Sequence, residues 1–273
     1  MATEYKLVSL EEYKYCENIA ESILNSISAK KRISLDDIRY GDAINYLISV
    51  AGPTDLCLFV GDGYCSSAFP GDEFSPSSLK QSYNIQFEAS KIPLRARKID
   101  VVDSVFSKRV SGFTLFQDGG SIMFLCAETH TWERTIFTVV HELVHSYLAL
   151  SKPNYKKQVA LLNDLDFNEN PYPEDLQSIE DETNVIASLL YAPSCSLKKN
   201  IMCNNFQQLC SIYGMSVSAM HNRIHNFFYY EMHFSENEAT NALFAFRNNE
   251  ENKMINYRKI LEGNNIEEFD LPW

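Results

Sequence analysis

The sequence predicts an α+β fold: N-terminal helices, a small antiparallel or mixed sheet, one long helix after it, and a helical C-terminal region. Three observations predict it. Apolar residues near the N-terminus fall at helical spacing, at Tyr13, Ile19, Ile23 and Leu24 and then at Ile38, Ile44 and Leu47. Short apolar runs bounded by glycine follow, in residues 56–60, 110–116 and 121–126. Helical periodicity then returns and holds to about residue 249. Helices, then a meander, then helices is the order of an α+β chain.

Two helices fit between residues 9 and 49, with a break near 28–31. Residues 56–60, LCLFV, read as a buried strand, and Gly61-Asp62-Gly63 as the turn after it. Residues 66–78 are rich in Pro, Gly and Ser and read as loop. Strands over 110–116 and 121–126 are joined by Asp118-Gly119-Gly120, a hairpin signal. A helix is expected from Trp132 to Leu150, with Thr131 as N-cap, Glu133 at its positive end and Pro153 beyond its last turn. A long polar connection covers 152–170, and a second helix runs from Pro173, a first-turn proline, to Tyr191 before Pro193. Residues 197–249 suggest two or three further helices, and the polar stretch after them is loosely held. The expected division is one domain over 1–195 and a helical region, 196–273, packed on it.

Composition narrows the function classes. A chain of 273 residues fits one large domain, or one plus a small partner. At 45% hydrophobic and 12% aromatic residues it can build a core and is too apolar for disorder. Its net charge of -12 repels phosphate, which speaks against direct nucleic-acid binding and fits a solubilising surface. No stretch approaches the ~20 apolar residues of a membrane span, and MATEYKLVSLEEYKYCE has neither the basic nor the apolar region of a signal peptide. Seven scattered cysteines with no CxxC pair point to a reduced, cytoplasmic chain in which they act as small buried hydrophobes.

One motif carries chemistry. His141-Glu142-Leu143-Val144-His145 is HExxH. Histidines at i and i+4 lie one turn apart on one helix face, so both rings can reach a single metal ion. Zinc held there lowers the pKa of water to near 7, and Glu142, a carboxylate that is not itself a ligand, can accept the proton. Catalytic zinc needs a third protein ligand. The candidate is Glu180, in Ile179-Glu180-Asp181-Glu182-Thr183-Asn184, which shares a helix face with Asn184 and Ala187. Asn184 could orient a ligand histidine through a hydrogen bond. Glu182 stands about 200° away around the helix, so only one of the two glutamates can face the histidines, and it is expected at the solvent edge. A solvated acidic first turn remains the alternative for Glu180, Asp181 and Glu182. His221 and His225 form a second i, i+4 pair, but no glutamate stands between them, and Ile212, Met215, Met220, Ile224 and Phe227 around them suggest core helices. His130 and His233 are isolated in sequence.

These residues resemble the ImmA/IrrE family of metallopeptidases. Residues 134–145, RTIFTVVHELVH, resemble the family's "R..FT..HELgH" segment. Residues 180–193, EDETNVIASLLYAP, resemble its "E.EAN.FA..LL.P", and 206–225, with YGMSVS and Arg223, its trailing "fgVS..a...RL" helices. The resemblance covers about residues 110–228. Val144 stands where the family has glycine, Thr183 where it has alanine and Ile186 where it has phenylalanine, and none of these removes a ligand. The resemblance implies a zincin-like core and a zinc-dependent endopeptidase that cleaves a helix-turn-helix repressor and so switches on phage, mobile-element or stress genes.

The expectation is therefore a zinc endopeptidase with Glu142 as base, and His141, His145 and Glu180 as ligands, Mn2+ or Fe2+ being possible in place of zinc. An edge strand, residues 121–126, would hold the substrate extended. The alternative is a non-catalytic zincin-fold module that sequesters a regulator or toxin. A third reading, DNA binding through residues 213–228, is opposed by the acidic charge.

Overall fold

The computed structural model describes residues 7–66, 75–117, 120–128, 131–152 and 174–263. They fall into two compact units, one of Arg39–Ala187, the other joining the chain up to Ile38 to the chain from Ser188 onward. The N-terminal helix thus groups with the C-terminal helices, and the units do not divide at residue 195.

In the Arg39–Ala187 unit, helix α2, Tyr40–Ala51, leads into strand β1, Asp55–Gly61. (Helix α1, Leu10–Lys31, belongs to the other unit.) β1 is buried along its length after Asp55, as a strand covered on both faces should be, and so reads as an unbroken apolar run. Gly61-Asp62-Gly63 does not form a simple turn: the chain enters the short helix α3, Asp62–Ser66, at once. Helix α4, Pro76–Ala89, starts inside the expected loop, with Ser75 as N-cap and Pro76 in its first turn. Strand β2, Ala96–Val102, and helix α5, Ser104–Arg109, follow, then β3, Gly112–Gln117, and β4, Gly120–Cys126. The turn residues Asp118 and Gly119 lie outside the described residues.

The sheet order is β2-β1-β4-β3, with β1 parallel to both β2 and β4, and β3 antiparallel to β4. This corrects one expectation. Residues 121–126 are not an edge: β4 is hydrogen-bonded on both sides, and β3 and β2 are the edges. The reason is a parallel pairing that matches Asp55 with Ile122, far apart in sequence and invisible to any hairpin signal. β2 shows no period of two because, as an edge strand, it buries only Ala96. Its edge is met there by Asn84 of α4, whose side-chain amide donates to the Ala96 carbonyl at 3.2 Å and accepts from the Ala96 N–H at 2.8 Å. A side chain takes the place of a neighbouring strand.

Helix α6, Trp132–Ser151, packs on β3, β4 and α2, and helix α7, Glu174–Tyr191, follows in sequence. Thr131 caps α6 as expected, accepting from the Arg134 N–H at 3.4 Å. Pro173 lies outside the described residues. Close approach of β3 to α6 depends on Gly112. A Cβ there would lie 2.5 Å from Thr138 Cγ2 and 3.0 Å from the Phe124 carbonyl oxygen. Thr138 cannot swing away freely, because its hydroxyl donates to the Arg134 carbonyl at 3.0 Å. Gly112→Ala is therefore expected to cost about 1–3 kcal/mol, as overpacking does. A denaturant titration checks this, and an unchanged midpoint would mean that β3 can retreat from α6 without loss.

The second unit begins with helix α1, Leu10–Lys31. α1 does not break at 28–31. Ala29, Lys30 and Lys31 are good helix formers, the lysines suit the negative end of the dipole, and the chain turns only at Arg32, with φ 57°. The C-terminal elements are α8, Ser194–Cys203, α9, Phe206–Tyr213, α10, Val217–Asn226, a π-helical turn over Phe227–Glu231, α11, Glu236–Arg247, and α12, Glu251–Leu261. Gly214, with φ 60°, closes α9 in the left-handed conformation that an L side chain adopts at a cost. α10 turns most of its length inward. Arg223 is 1% exposed and donates to the Ala192 carbonyl at 2.9 Å, to Ser194 at 2.9 Å and to Glu231 at 3.1 Å. The same Glu231 oxygen accepts from the Tyr13 hydroxyl at 2.9 Å, and the Tyr13 ring stacks on Tyr230.

Cys16, Cys57, Cys126 and Cys210 are buried, as small hydrophobes are, whereas Cys195 and Cys203, on α8, are exposed. No helix among the described residues is long and apolar enough to cross a membrane.

Candidate metal centre

The middle of α6 is where the chemistry gathers. One turn apart, His141 and His145 bring their Nε2 atoms to 3.0 Å of each other. α7 supplies the third group: Glu180 Oε2 lies 3.2 Å from His141 Nε2, and Oε1 lies 3.2 Å from His145 Nε2. Metal–ligand bonds of about 2.0–2.1 Å in a tetrahedron separate neighbouring ligand atoms by roughly 3.3 Å. Two imidazole nitrogens and a carboxylate at 3.0–3.2 Å thus stand close to the edges of such a tetrahedron. Among the described residues, this is the one group of three or more His, Cys, Asp or Glu side chains that could hold a metal ion. The His145 side chain is 3% exposed, against 12% for His141 and 19% for Glu180, so solvent reaches the group from the His141 and Glu180 side.

The electrostatics fit a site that trades protons for a cation. Burial pushes the His141 pKa down, but hydrogen bonding to Glu180 and the charges of Glu180 and Glu142 outweigh it, and the net direction is up. Burial pushes Glu180 up, and the two histidine hydrogen bonds overcome it and hold the carboxyl far below the usual range. A divalent ion held here needs unprotonated ring nitrogens, so its uptake would release any proton they carry.

Glu142 is different. It is 3% exposed, and Oε2 accepts a hydrogen bond from the Thr114 hydroxyl of β3 at 2.8 Å. Burial raises its pKa against the charges of both histidines and the Thr114 bond. The result is a carboxylate more basic than a free one, held beside the ligand group and not part of it.

The two glutamates of α7 separate as the helix period requires. Glu180 faces the histidines, while Glu182 turns to Lys152, whose ammonium lies 3.0 and 2.7 Å from its two oxygens. Its side chain is 14% exposed, so it is paired and largely covered, not at the solvent edge. Asn184 is exposed on the Glu180 side of α7, where it helps to raise the His141 pKa, and Ala187 is fully buried. Two contributors were not read from the sequence. Thr183 lies 3.4 Å from His145 Nδ1 and could have been found, because it stands three residues after Glu180 on a neighbouring face. Thr114 gave no signal, since it belongs to another element and meets Glu142 only through packing.

The remaining histidines lie elsewhere. His221 and His225 are buried in the second unit, where His221 Nδ1 lies 3.1 Å from Arg247 and His225 Nε2 lies 3.3 Å from Thr240. Burial, with the Arg247 charge, holds the His221 pKa down to about 4, and a guanidinium at that distance opposes a metal cation. His233 is exposed, with φ 56°, and His130 lies outside the described residues. Comparison of the chain with protein-family models, with curated proteins and with solved structures finds no match.

Proposed function

We propose that this chain is a cytoplasmic zinc-dependent endopeptidase of the kind its motifs resemble, acting on a helix-turn-helix repressor. The observation that carries the reading is the pairing of a three-donor group with a buried carboxylate outside it. His141, His145 and Glu180 would hold the ion, and two nitrogens with one carboxylate suit zinc, although Mn2+ or Fe2+ can take the same donors. Zinc supplies a Lewis acid that polarises the scissile carbonyl and makes water acidic near neutral pH. Glu142 takes the proton of the attacking water and delivers it to the leaving nitrogen. Thr114, donating at 2.8 Å, fixes one oxygen of the carboxylate, and the other would take the proton. Asn184, on the Glu180 side of α7, would orient His141.

Thr114 also joins the base to the sheet, because it lies on edge strand β3. A substrate segment added in extended form to β3, an outer strand of the described sheet, would run beside Glu142, with β3 in the role expected of residues 121–126.

A sequestering module on the same scaffold would have no use for a buried base, which costs stability and binds no ligand atom. DNA binding through α9 and α10 is disfavoured, because the one arginine of α10 is buried against Glu231, and Val217, Ser218 and Asn222 form its exposed face. The test is direct. Purified protein should contain one zinc per chain, and co-expression with candidate helix-turn-helix repressors should yield a cleaved product. Protein that holds no metal and takes none up after zinc addition would end the metal reading, and a metal-loaded chain that cleaves no candidate would favour the sequestering module.

A further inference from the structure

Histidine binds a metal through a nitrogen that carries no proton, so each ligand ring must be held in one tautomer. His141 Nε2 and His145 Nε2 converge, so both rings must keep their proton on Nδ1. The direction of each hydrogen bond at Thr183 decides what holds His145. Thr183 Oγ1 lies 2.8 Å from the Ile179 carbonyl oxygen. A carbonyl can only accept, so the hydroxyl spends its one proton there. Its lone pairs are then what face His145 Nδ1 at 3.4 Å, and in that contact the imidazole is the donor. The chain of donors runs from His145 Nδ1–H to the Thr183 hydroxyl and on to the Ile179 carbonyl, all within a buried space, Thr183 being 0% exposed.

We infer that Thr183 is a positioning residue which, anchored by the Ile179 carbonyl, holds His145 in the Nδ1–H tautomer and turns its Nε2 lone pair toward His141 and Glu180. This rests on the metal-site reading above and adds a residue to it. The device is local to α7, since Ile179, Glu180 and Thr183 all lie within one turn of that helix, so the helix that brings a ligand also sets the tautomer of the opposite one. Orienting partners of this kind are worth about 10–100-fold in metal affinity.

The test uses the full chain and zinc alone, with no peptide substrate. Thr183→Val keeps the branched shape and removes the hydroxyl, Thr183→Ser keeps the hydroxyl, and Thr183→Ala is a second hydroxyl-free variant should valine pack badly. Zinc affinity is measured by competition with a chromogenic chelator. The valine or alanine variant should bind about 10–100-fold more weakly, and serine should restore affinity to within about threefold of the parent. In the metal-free protein, labelled at histidine with 15N, the His145 Nδ1–H resonance should exchange slowly with solvent in the parent and serine proteins and fast in the hydroxyl-free ones. Equal zinc affinity in parent and hydroxyl-free variants, or an Nδ1–H exchange rate that the variants leave unchanged, would overturn the assignment. If the parent itself binds no zinc, the metal-site reading fails, and the exchange comparison alone still decides whether Thr183 holds His145.

Discussion

Replacing Glu142 by Gln should leave zinc content and fold intact and lower peptide cleavage by about 100–10,000-fold, the range of a general base. The substitution changes one oxygen to an amide nitrogen and little else. Glutamine can still accept the Thr114 hydroxyl bond, now 2.8 Å long, so the side chain has a reason to stay in place. What it cannot do is take a proton from water. A second readout separates this from general damage. The Glu142 carboxyl is buried and its pKa is raised, so the folded state disfavours its charge at neutral pH. Removing that charge should leave the thermal midpoint of the metal-free protein equal to or above that of the parent. A functional group that weakens the fold and is retained marks a stability–activity trade-off. A variant that cleaves like the parent would remove Glu142 from the chemistry.

Glu180→Ala should strip the metal, and Glu182→Ala should not. Apparent zinc binding energies of about 10–16 kcal/mol in small structural sites, shared among four ligands, amount to about 2.5–4 kcal/mol per ligand, or roughly 60–700-fold in affinity. Glu180 sits 3.2 Å from both imidazole nitrogens and carries that share. Glu182 contributes an ion pair with Lys152, which is partly exposed, and losing it should cost only about 0.2–1 kcal/mol of stability. Zinc content after dialysis against a weak chelator distinguishes the two. Metal retained by Glu180→Ala and lost from Glu182→Ala would place α7 in a different register against α6.

Some of this site was legible because helical periods are short-range. His141 and His145 at i, i+4 must share a face, and Glu180 and Glu182 cannot. The capped start of α6 at Thr131 and the buried run of β1 were legible for the same kind of reason, since each is set by neighbours a few residues away. The short helix α3, the helix α4 and the strand β2 were not, because their own residues bury little: α4 hides Tyr83 and Phe87, and β2 hides Ala96. Their conformations are sustained by partners, as the Asn84 amide at Ala96 illustrates.

By itself, then, the sequence determined an α+β chain and a helix bearing two histidines and a carboxylate in metal-binding order. It also determined that a glutamate on a second helix could complete the donor set. Only the tertiary structure decided that β1 lies between β2 and β4, so that β4 is interior and β3 is an outer strand. It alone decided that Thr114 meets Glu142 and Thr183 meets His145. The physical reason is that a helix face is a property of spacing along the chain. A hydrogen bond between elements 28 or 38 residues apart exists only once packing has brought them together.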